Sequence, residues 1–151
     1  MNISRNSKAN IILIFTILIF DQITKYIVSN YQINSKFNNL YLFSIDFVKN
    51  EGAAFNLFSN NTFFLSLISI FSSIIISLLL IYNRNLNVID RYGLSFILAG
   101  SIGNGIDRVI NGYVVDFINL NFISFPVFNI ADLSINIGFF LILYNLIIKT
   151  K

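Results

Sequence analysis

The chain has 151 residues, of which 56% are hydrophobic and 11% are charged, with a formal net charge of +3 and a mean hydropathy of +0.74. Soluble domains carry roughly 45–50% apolar and about 25% charged residues, so this composition excludes an ordinary water-soluble globule and predicts a membrane protein. Cysteine and histidine are absent, which excludes disulfides, thiol nucleophiles, Cys/His zinc sites and histidine general bases. Any chemistry must therefore use Asp, Glu, Lys, Ser, Thr or Tyr.

The first apolar run, Ile11–Phe20, follows two basic residues. Its length suits the core of a cleavable signal peptide, but no small-x-small cleavage site follows and the apolar pattern soon resumes. We therefore predict a first membrane helix over residues 9–28. Asp21 and Lys25 lie four residues apart on one face of it, with the acid first. They are either a local neutralising pair at a helix end or a brace for a site elsewhere.

Residues 30–60 are more polar, and between positions 41 and 47 aromatic and aliphatic side chains recur at every second residue. This period predicts a strand whose aromatic side lies at the membrane interface. Asn50 is followed by Gly52 and two alanines, small residues that permit a tight turn or a close backbone approach. On its own, this run indicates only a turn between a strand and a helix.

The second apolar run, Phe63–Tyr82, has 20 uncharged residues and is long enough to cross a hydrocarbon core of about 30 Å. Serines recur in it at three- or four-residue spacing and predict a face for helix packing. These are Ser66, Ser69, Ser73 and Ser77. A charged loop is predicted over residues 83–91.

The third run, Tyr92–Ile106, contains four glycines and continues as a helix only by admitting polar residues at i, i+3, i+4 and i+7. Because lipid cannot solvate them, their shared face must look into a polar cavity or onto other parts of the protein. These residues are Asn104, Asp107, Arg108 and Asn111. Asp107 and Arg108 form either a buried structural pair or substrate contacts, and Asn104 is either a helix-to-helix hydrogen bond or a substrate contact. Gly112 is the predicted residue that ends this helix.

The segment Val114–Phe125 has an extended pattern that closes at a proline, and Ile130–Ile148 forms the fourth apolar run. Asn129 is the predicted N-cap of this last helix. Asn129, Asp132 and Asn136 share one face of its first two turns. The chain is therefore predicted to form one integral membrane domain over residues 1–151, with four membrane helices.

Four crossings place both chain ends on one side of the membrane, and the charges indicate which side. Six of the ten basic residues fall at the same set of helix ends, namely Arg5, Lys8, Arg84, Arg91, Lys149 and Lys151. The positive-inside tendency makes these ends cytoplasmic. Six of the seven acids fall at or beyond the opposite ends, so the polar clusters converge at the outer membrane–water boundary.

Two acids are placed for chemistry, because Asp116 lies in the extended segment before the last helix and Asp132 lies in its first turn. Ionised carboxylates are costly beside apolar runs, and two that meet there must share a proton, which is the basis of aspartic protease chemistry. The helix dipole favours a negative charge on Asp132, so Asp116 is predicted to hold the proton. The alternative is that both acids lie in solvated loops.

Three other functions use the same residues. A proton- or cation-coupled carrier also needs intramembrane acids and amides, but no chain of polar groups runs to the cytoplasmic helix ends. A serine–lysine peptidase would use Lys25 as its base, and no serine is an obvious nucleophile beside it. A non-catalytic scaffold gives no reason to concentrate acids and amides on one side.

Five blocks along nearly the whole chain resemble the lipoprotein signal peptidase (signal peptidase II) family of bacterial aspartic endopeptidases. The blocks are Asp21-Gln22-x-Thr24-Lys25, Asn50-x-Gly52-Ala53-Ala54-Phe55, Ile102-Gly103-Asn104-x-Ile106-Asp107-Arg108, Gly112-x-Val114-Val115-Asp116-Phe117 and Phe125-Pro126-x-Phe128-Asn129-x-Ala131-Asp132. The last three, in this order and around two membrane helices, are highly specific. One departure, Ala99-Gly100-Ser101 where the family commonly has a second glycine, touches no carboxylate.

The resemblance implies an all-α membrane protein with a small β element, built from four transmembrane helices and an outer-face strand platform. It implies an inner-membrane endopeptidase that cleaves diacylglyceryl-modified prolipoproteins immediately before the modified cysteine. We expect a monomer in contact with this substrate and with membrane lipid, without cofactor, metal or nucleic acid. The family's catalytic pair corresponds to Asp116 and Asp132. Its supporting residues correspond to Asp21, Lys25, Asn50, Gly52, Asn104, Asp107, Arg108 and Asn129.

Overall fold

Four helices and two strands make up the computed structural model, which describes residues 5–31, 41–53, 57–59 and 61–149. In chain order the elements are α1 (Arg5–Tyr31), β1 (Phe43–Asn50), α2 (Thr62–Tyr82), α3 (Val88–Asn111), β2 (Val114–Leu120) and α4 (Ile130–Lys149). The predicted all-α membrane fold with a small β element is confirmed. Ala54 and Phe55 of the second sequence block lie outside the described residues.

Within the described ranges, three helices are long and apolar enough to cross a membrane, with mean hydropathies of 2.0, 2.6 and 1.8. They are Lys8–Tyr31, Thr62–Tyr82 and Ile130–Lys149. At 24 residues, α3 is about 36 Å long, which also suffices to cross the core. It packs against each of the other three helices, so the polar side chains at Ser95, Ser101, Asn104 and Asp107 are covered by protein rather than by lipid.

The bundle has apolar side chains outside and polar ones inside, the reverse of a soluble bundle. Phe63 and Phe71 on α2 are 75% and 69% exposed, and Phe140 on α4 is 63% exposed. In contrast, the side chains of Asp21 and Asn104 are buried at 1% and 5% exposure. Lipid solvates the outer face without cost, while buried polar groups require partners within the protein.

Glycines bring α3 and α4 into close contact. A Cβ at Gly100 would collide with the Ala131 carbonyl, and a Cβ at Gly138 would collide with the Gly93 carbonyl. Small residues at such crossings let helix backbones approach in membranes. The start of α4, which carries Asp132, is thereby held against the middle of α3.

The predicted serine face of α2 is confirmed at Ser69 and Ser73, which meet Ser101 of α3. The Ser101 hydroxyl donates to the Ser69 carbonyl at 3.3 Å, and the Ser73 hydroxyl donates to Ser101 Oγ at 3.3 Å. Ser72, which the spacing did not select, shares a 2.7 Å hydrogen bond with Ser101. Ser66 instead bonds to the carbonyl of Thr62 in its own helix.

The two strands form an antiparallel pair that runs from Phe43 opposite Leu120 to Asn50 opposite Val114. The register shifts between Ile45 and Val48, which is the mark of a β-bulge. The backbone of Phe128 bridges to β2 on its other side. The first four residues of β2 are buried, and one of them is the candidate catalytic acid.

Two predicted boundaries were wrong. The loop predicted over residues 83–91 is shorter, because Asn87 caps α3 by accepting the Asp90 N–H at 2.8 Å and the helix begins at Val88. The extended segment predicted over 114–125 ends as a strand at Leu120, where a turn begins. Gly112 ends α3 as predicted, with a left-handed φ of 77°.

Candidate active site

Asp116 and Asp132 line the same cavity of about 500 Å³. Its walls come from the end of β1, the C-terminal half of α3, the start of β2 and the first two turns of α4. The segment 125–128 adds an apolar wall, together with Ile135 of α4. Asp116 and Asp132, which are 16 positions apart in the chain, therefore face the same space.

Asn129, which is fully buried, bonds to both carboxylates. Its side-chain Nδ2 donates to Asp116 Oδ1 at 2.7 Å, and its backbone N–H donates to Asp132 Oδ2 at 3.2 Å. In return, its Oδ1 accepts the Asp132 N–H at 2.9 Å. This reciprocal pair is the capping arrangement expected at a helix start, and it confirms the predicted N-cap.

Asp116 lies on β2 with an exposure of only 2%. Asn50, at the end of β1, donates its Nδ2 to Asp116 Oδ2 at 2.8 Å, and the Asn50 Oδ1 accepts the Gly52 N–H at 2.9 Å. Burial, followed by the charge of Asp132, raises the pKa of Asp116 from 3.8 to about 7, while the bonds from Asn50 and Asn129 oppose the rise. Asp116 therefore keeps a proton to higher pH than an ordinary aspartate.

Asp132 lies in the first turn of α4. Its Oδ1 accepts the Nδ2 of Asn104 at 2.7 Å, and its other oxygen accepts the Asn129 N–H. Its burial disfavours the ionised carboxylate, whereas both donors and the positive end of the helix dipole favour it. The two acids thus lie in different surroundings, one at a helix start and one in the middle of a buried strand.

Arg108 connects α3 to the turn after β1. Its Nη2 donates to the Gly52 carbonyl at 3.0 Å, and its side chain lines the cavity of the two acids. Its Nε is buried with no hydrogen-bond partner among the described residues. The cation therefore faces the two carboxylates without forming a direct ion pair to either within 4.0 Å in this part of the chain.

Lys25 of α1 is 3% exposed and holds three partners. Its Nζ lies 2.9 Å from Asp21 Oδ2 and 3.0 Å from Asp107 Oδ2, and it donates to Asn104 Oδ1 at 2.9 Å. Asp21 Oδ1 in turn accepts the Ala131 N–H at 2.8 Å. The pair predicted on α1 is therefore a brace between α1, α3 and α4. These partners are carboxylate and amide oxygens and not a serine hydroxyl, which does not suit the base of a serine–lysine peptidase.

Of the two alternatives left open for Asp107 and Arg108, the structural pair is not formed among the described residues, and the expectation that Asn111 faces a cavity or other protein groups was wrong. Asp107 forms its ion pair with Lys25 rather than with Arg108, and it also accepts the Val115 N–H at 3.2 Å. Consecutive helix residues point about 100° apart, so these two neighbours cannot face each other. Asn111 is exposed because it lies in the last turn of the helix, beyond the part that the protein covers.

Gln22 contacts the residues that support the site, although the spacing of residues in the sequence did not predict a role for it. Its Nε2 lies 3.1 Å from Asp21 Oδ2, 3.2 Å from the Gly103 carbonyl and 3.3 Å from Asp107 Oδ1. The only available signal was its place beside Asp21 in an apolar helix.

The described residues contain no group of three or more acids that could hold a metal ion.

Comparison with known proteins gives one consistent family. The family model described as signal peptidase (SPase) II matches residues 13–148. The lipoprotein signal peptidase of Gloeothece citriformis is 42% identical over 126 residues, covering 82% of this chain and 79% of that protein. That of Wigglesworthia glossinidia brevipalpis is 37% identical over 143 residues, covering 92% and 94%.

A solved structure agrees with these sequence matches. A bacterial membrane enzyme determined by the in meso method superimposes with a TM-score of 0.86 at 34% identity, covering 95% of this chain and 90% of that one. A second bacterial membrane enzyme gives a TM-score of 0.81 at 36% identity. The chain belongs to the signal peptidase II family of lipoprotein signal peptidases.

Proposed function

We propose that this protein is an aspartic endopeptidase with Asp116 and Asp132 as its catalytic pair. Its substrate is a diacylglyceryl-modified prolipoprotein, cut immediately before the lipid-modified cysteine. The observation that carries the assignment is the single residue, Asn129, that bonds to both carboxylates at 2.7 and 3.2 Å beside one cavity. Its membership of the family supports the substrate class.

The two acids divide the chemistry according to their surroundings. Ionised Asp132 takes a proton from a water molecule, whose oxygen attacks the scissile carbonyl carbon. Asp116, which is protonated in this scheme and has a pKa raised to about 7, donates its proton to the carbonyl oxygen. The roles then reverse as the amine leaves with a proton and the carbonyl re-forms. Because one acid must be ionised and the other protonated, the rate follows a bell-shaped pH profile.

The cavity suits a substrate that is partly lipid. Its apolar wall at 125–128 and Ile135 lies beside the polar wall of the two acids, so an acyl-bearing residue and a peptide bond have separate surroundings. We place the site at the outer face of the bacterial membrane with both chain ends in the cytoplasm, as the basic helix ends indicate. A monomer, formed by one domain over residues 1–151, contains every residue of this site.

The decisive experiment exchanges each acid for its amide, as Asp116→Asn and Asp132→Asn. Each exchange preserves shape but removes the titrating group, so cleavage of a diacylglyceryl-modified precursor peptide should fall about 10²–10⁴-fold while the protein stays folded. Asp90→Asn is the matched control, because Asp90 bonds to Asn145 and Lys149 at the other end of α3. It should cleave normally. Near-normal cleavage by either active-site variant, or equal cleavage of the unmodified precursor, contradicts the proposal.

A carrier makes a different prediction for the same protein. Its buried acids would have to exchange protons with both sides of the membrane. In liposomes, the intact enzyme should therefore show cleavage without proton flux, and flux without cleavage would favour the carrier.

A further inference from the structure

We propose that Lys25 is a positioning residue for the reaction, acting through the side-chain amide of Asn104. Its ammonium group fixes which way that amide faces, so that the amide always presents its NH₂ to Asp132 and keeps Asp132 as the ionised member of the pair. The inference rests on the proposed function of the two acids. It assigns Lys25 a task beyond holding α1 against α3.

The direction of the Asn104 amide follows from the chemistry of its neighbours. Its Oδ1 accepts two donors, Lys25 Nζ at 2.9 Å and Asn129 Nδ2 at 3.1 Å, while its Nδ2 donates to Asp132 Oδ1 at 2.7 Å. An ammonium group can only donate and an ionised carboxylate can only accept. A flipped amide would therefore place NH₂ against NH₃⁺ and an oxygen against a carboxylate, losing all three bonds.

The same logic fixes the second amide. Asn129 Nδ2 faces only acceptors, at Asp116 Oδ1, Asn104 Oδ1 and the Val115 carbonyl, while its Oδ1 accepts the Asp132 N–H. Asn129 is thus oriented by Asn104 as well as by the two acids. Lys25 and Asn129 both donate to Asn104 Oδ1, and the two amides donate in turn to Asp132 and Asp116. The bonds from Lys25 to Asn104 and from Asn104 to Asp132 run in series, so the first polarises the second.

Lys25 orients the Asn104 side-chain amide although its own side chain does not line the cavity. The cavity is lined by Asn104 and the two acids, but Lys25, Asp21 and Asp107 are absent from its walls. In the part of the chain that the structure describes, the charged groups around the pair come from α1, β1 and α3, and they are Asp21, Lys25, Lys49, Asp107 and Arg108. Of these, only Lys25 bonds to an amide that donates to Asp132.

The main test removes the cation together with its two counter-charges, in the variant Asp21→Asn/Lys25→Met/Asp107→Asn. Both new amides can still accept the Ala131 and Val115 N–H groups that the acids accept now, so the backbone contacts are kept. We expect the acidic limb of the kcat profile to move up by about one pH unit, the effect of a weakened bond to a charged group. KM should stay within about twofold, because no residue that lines the cavity is changed.

The outcome separates positioning from mere packing. If Lys25 only holds the helices together, the triple variant yields less folded enzyme and its rate falls by the same factor at every pH. A kcat–pH profile whose shape and limbs match those of the parent enzyme therefore overturns the inference. The matched control is Asp90→Asn/Lys149→Met, which removes an ion pair at 3.4 Å near the other end of α3 and α4. Its profile should be unchanged.

A second variant, Asn104→Leu, carries the test if the triple variant does not fold. It leaves Lys25 paired with both of its acids but removes the donor to Asp132, so the acidic limb should move in the same direction. An unmoved limb in this variant overturns the inference. Combined with the triple variant it should add no further shift, since both changes act through one bond. If the parent itself fails to cleave, the proposed function fails instead.

Discussion

One asparagine, Asn129, has two roles that are usually separate. It begins α4 by capping the helix, and it holds Asp116 through its side-chain NH₂. Because the helix start and the carboxylate pair share this residue, the position of Asp132 relative to Asp116 is set by local hydrogen bonds. Long-range packing need only bring β2 against the helix start.

Replacing Asn129 by alanine should therefore damage activity more than stability. The lost cap costs about 1 kcal/mol in the free energy of unfolding. The lost bond to Asp116 should lower kcat about tenfold or more. Asn87→Ala is the control, because Asn87 caps α3 in the same way without touching either acid. Thermal unfolding and peptide cleavage are measured for both variants. Equal losses of kcat in Asn129→Ala and Asn87→Ala would contradict the role of Asn129.

The site's chemistry was readable from the sequence where residue type decides it. Acids and amides beside apolar runs must face protein or water, which located Asp116, Asp132 and Asn104. The partner of each residue was not readable in the same way. Asp107 pairs with Lys25, 82 positions earlier in the chain, and only the packing of α1 on α3 determines that choice.

Among the helices, α3 is the element on which the site depends most. It supplies Asn104, Asp107 and Arg108, and it packs against α1, α2 and α4. The apolar runs predicted all four helices, although the third run, Tyr92–Ile106, reaches crossing length only together with the polar residues that follow it. The helix ends were predicted less well than the helices themselves. The structure begins α3 at Val88 because Asn87 caps it, whereas the charged residues nearby led us to predict a loop up to residue 91.

Gly100→Ala tests the α3–α4 contact. The added Cβ would collide with the Ala131 carbonyl, which is backbone next to Asp132, so the start of α4 must move. We expect a loss of about 1–3 kcal/mol in the free energy of unfolding together with reduced cleavage. Gly105→Ala is the control on the same helix, because its Cβ would meet only the Ser69 side chain, at 3.1 Å. A similar loss in both variants would argue against a special α3–α4 contact.

In the molecule as a whole, apolar side chains face lipid and the polar side chains of the site lie inside the bundle. Exposed aromatic and aliphatic side chains cover the outer face of the bundle, while the acids and amides of the site gather inside at one end. Composition and charge distribution predicted this arrangement before any contact was known. The volume and walls of the cavity were not predictable, because they arise from segments at positions 48–53, 104–108, 114–116 and 125–136 that meet only in the folded chain.

Single cysteines test the orientation directly, since the native chain contains none. Ser124→Cys lies on an exposed turn at the site's end of the molecule, and Asn85→Cys lies on the exposed α2–α3 turn at the other end. In intact cells, a membrane-impermeant thiol reagent should label position 124 and leave position 85 unlabelled until the cells are opened. The opposite labelling pattern would place the site on the cytoplasmic side.

Infrared titration of the carboxyl groups is the most direct test of the proposal that Asp116 and Asp132 hold one proton between them. The raised pKa of Asp116 means that its acid form persists up to a pH of about 7, so its carboxylic acid band should disappear through that pH and be missing in Asp116→Asn. Because the charge of Asp132 contributes to the rise, Asp132→Asn should move the titration of Asp116 to lower pH. An Asp116 band that titrates at the same pH in the parent and in Asp132→Asn would contradict the shared proton.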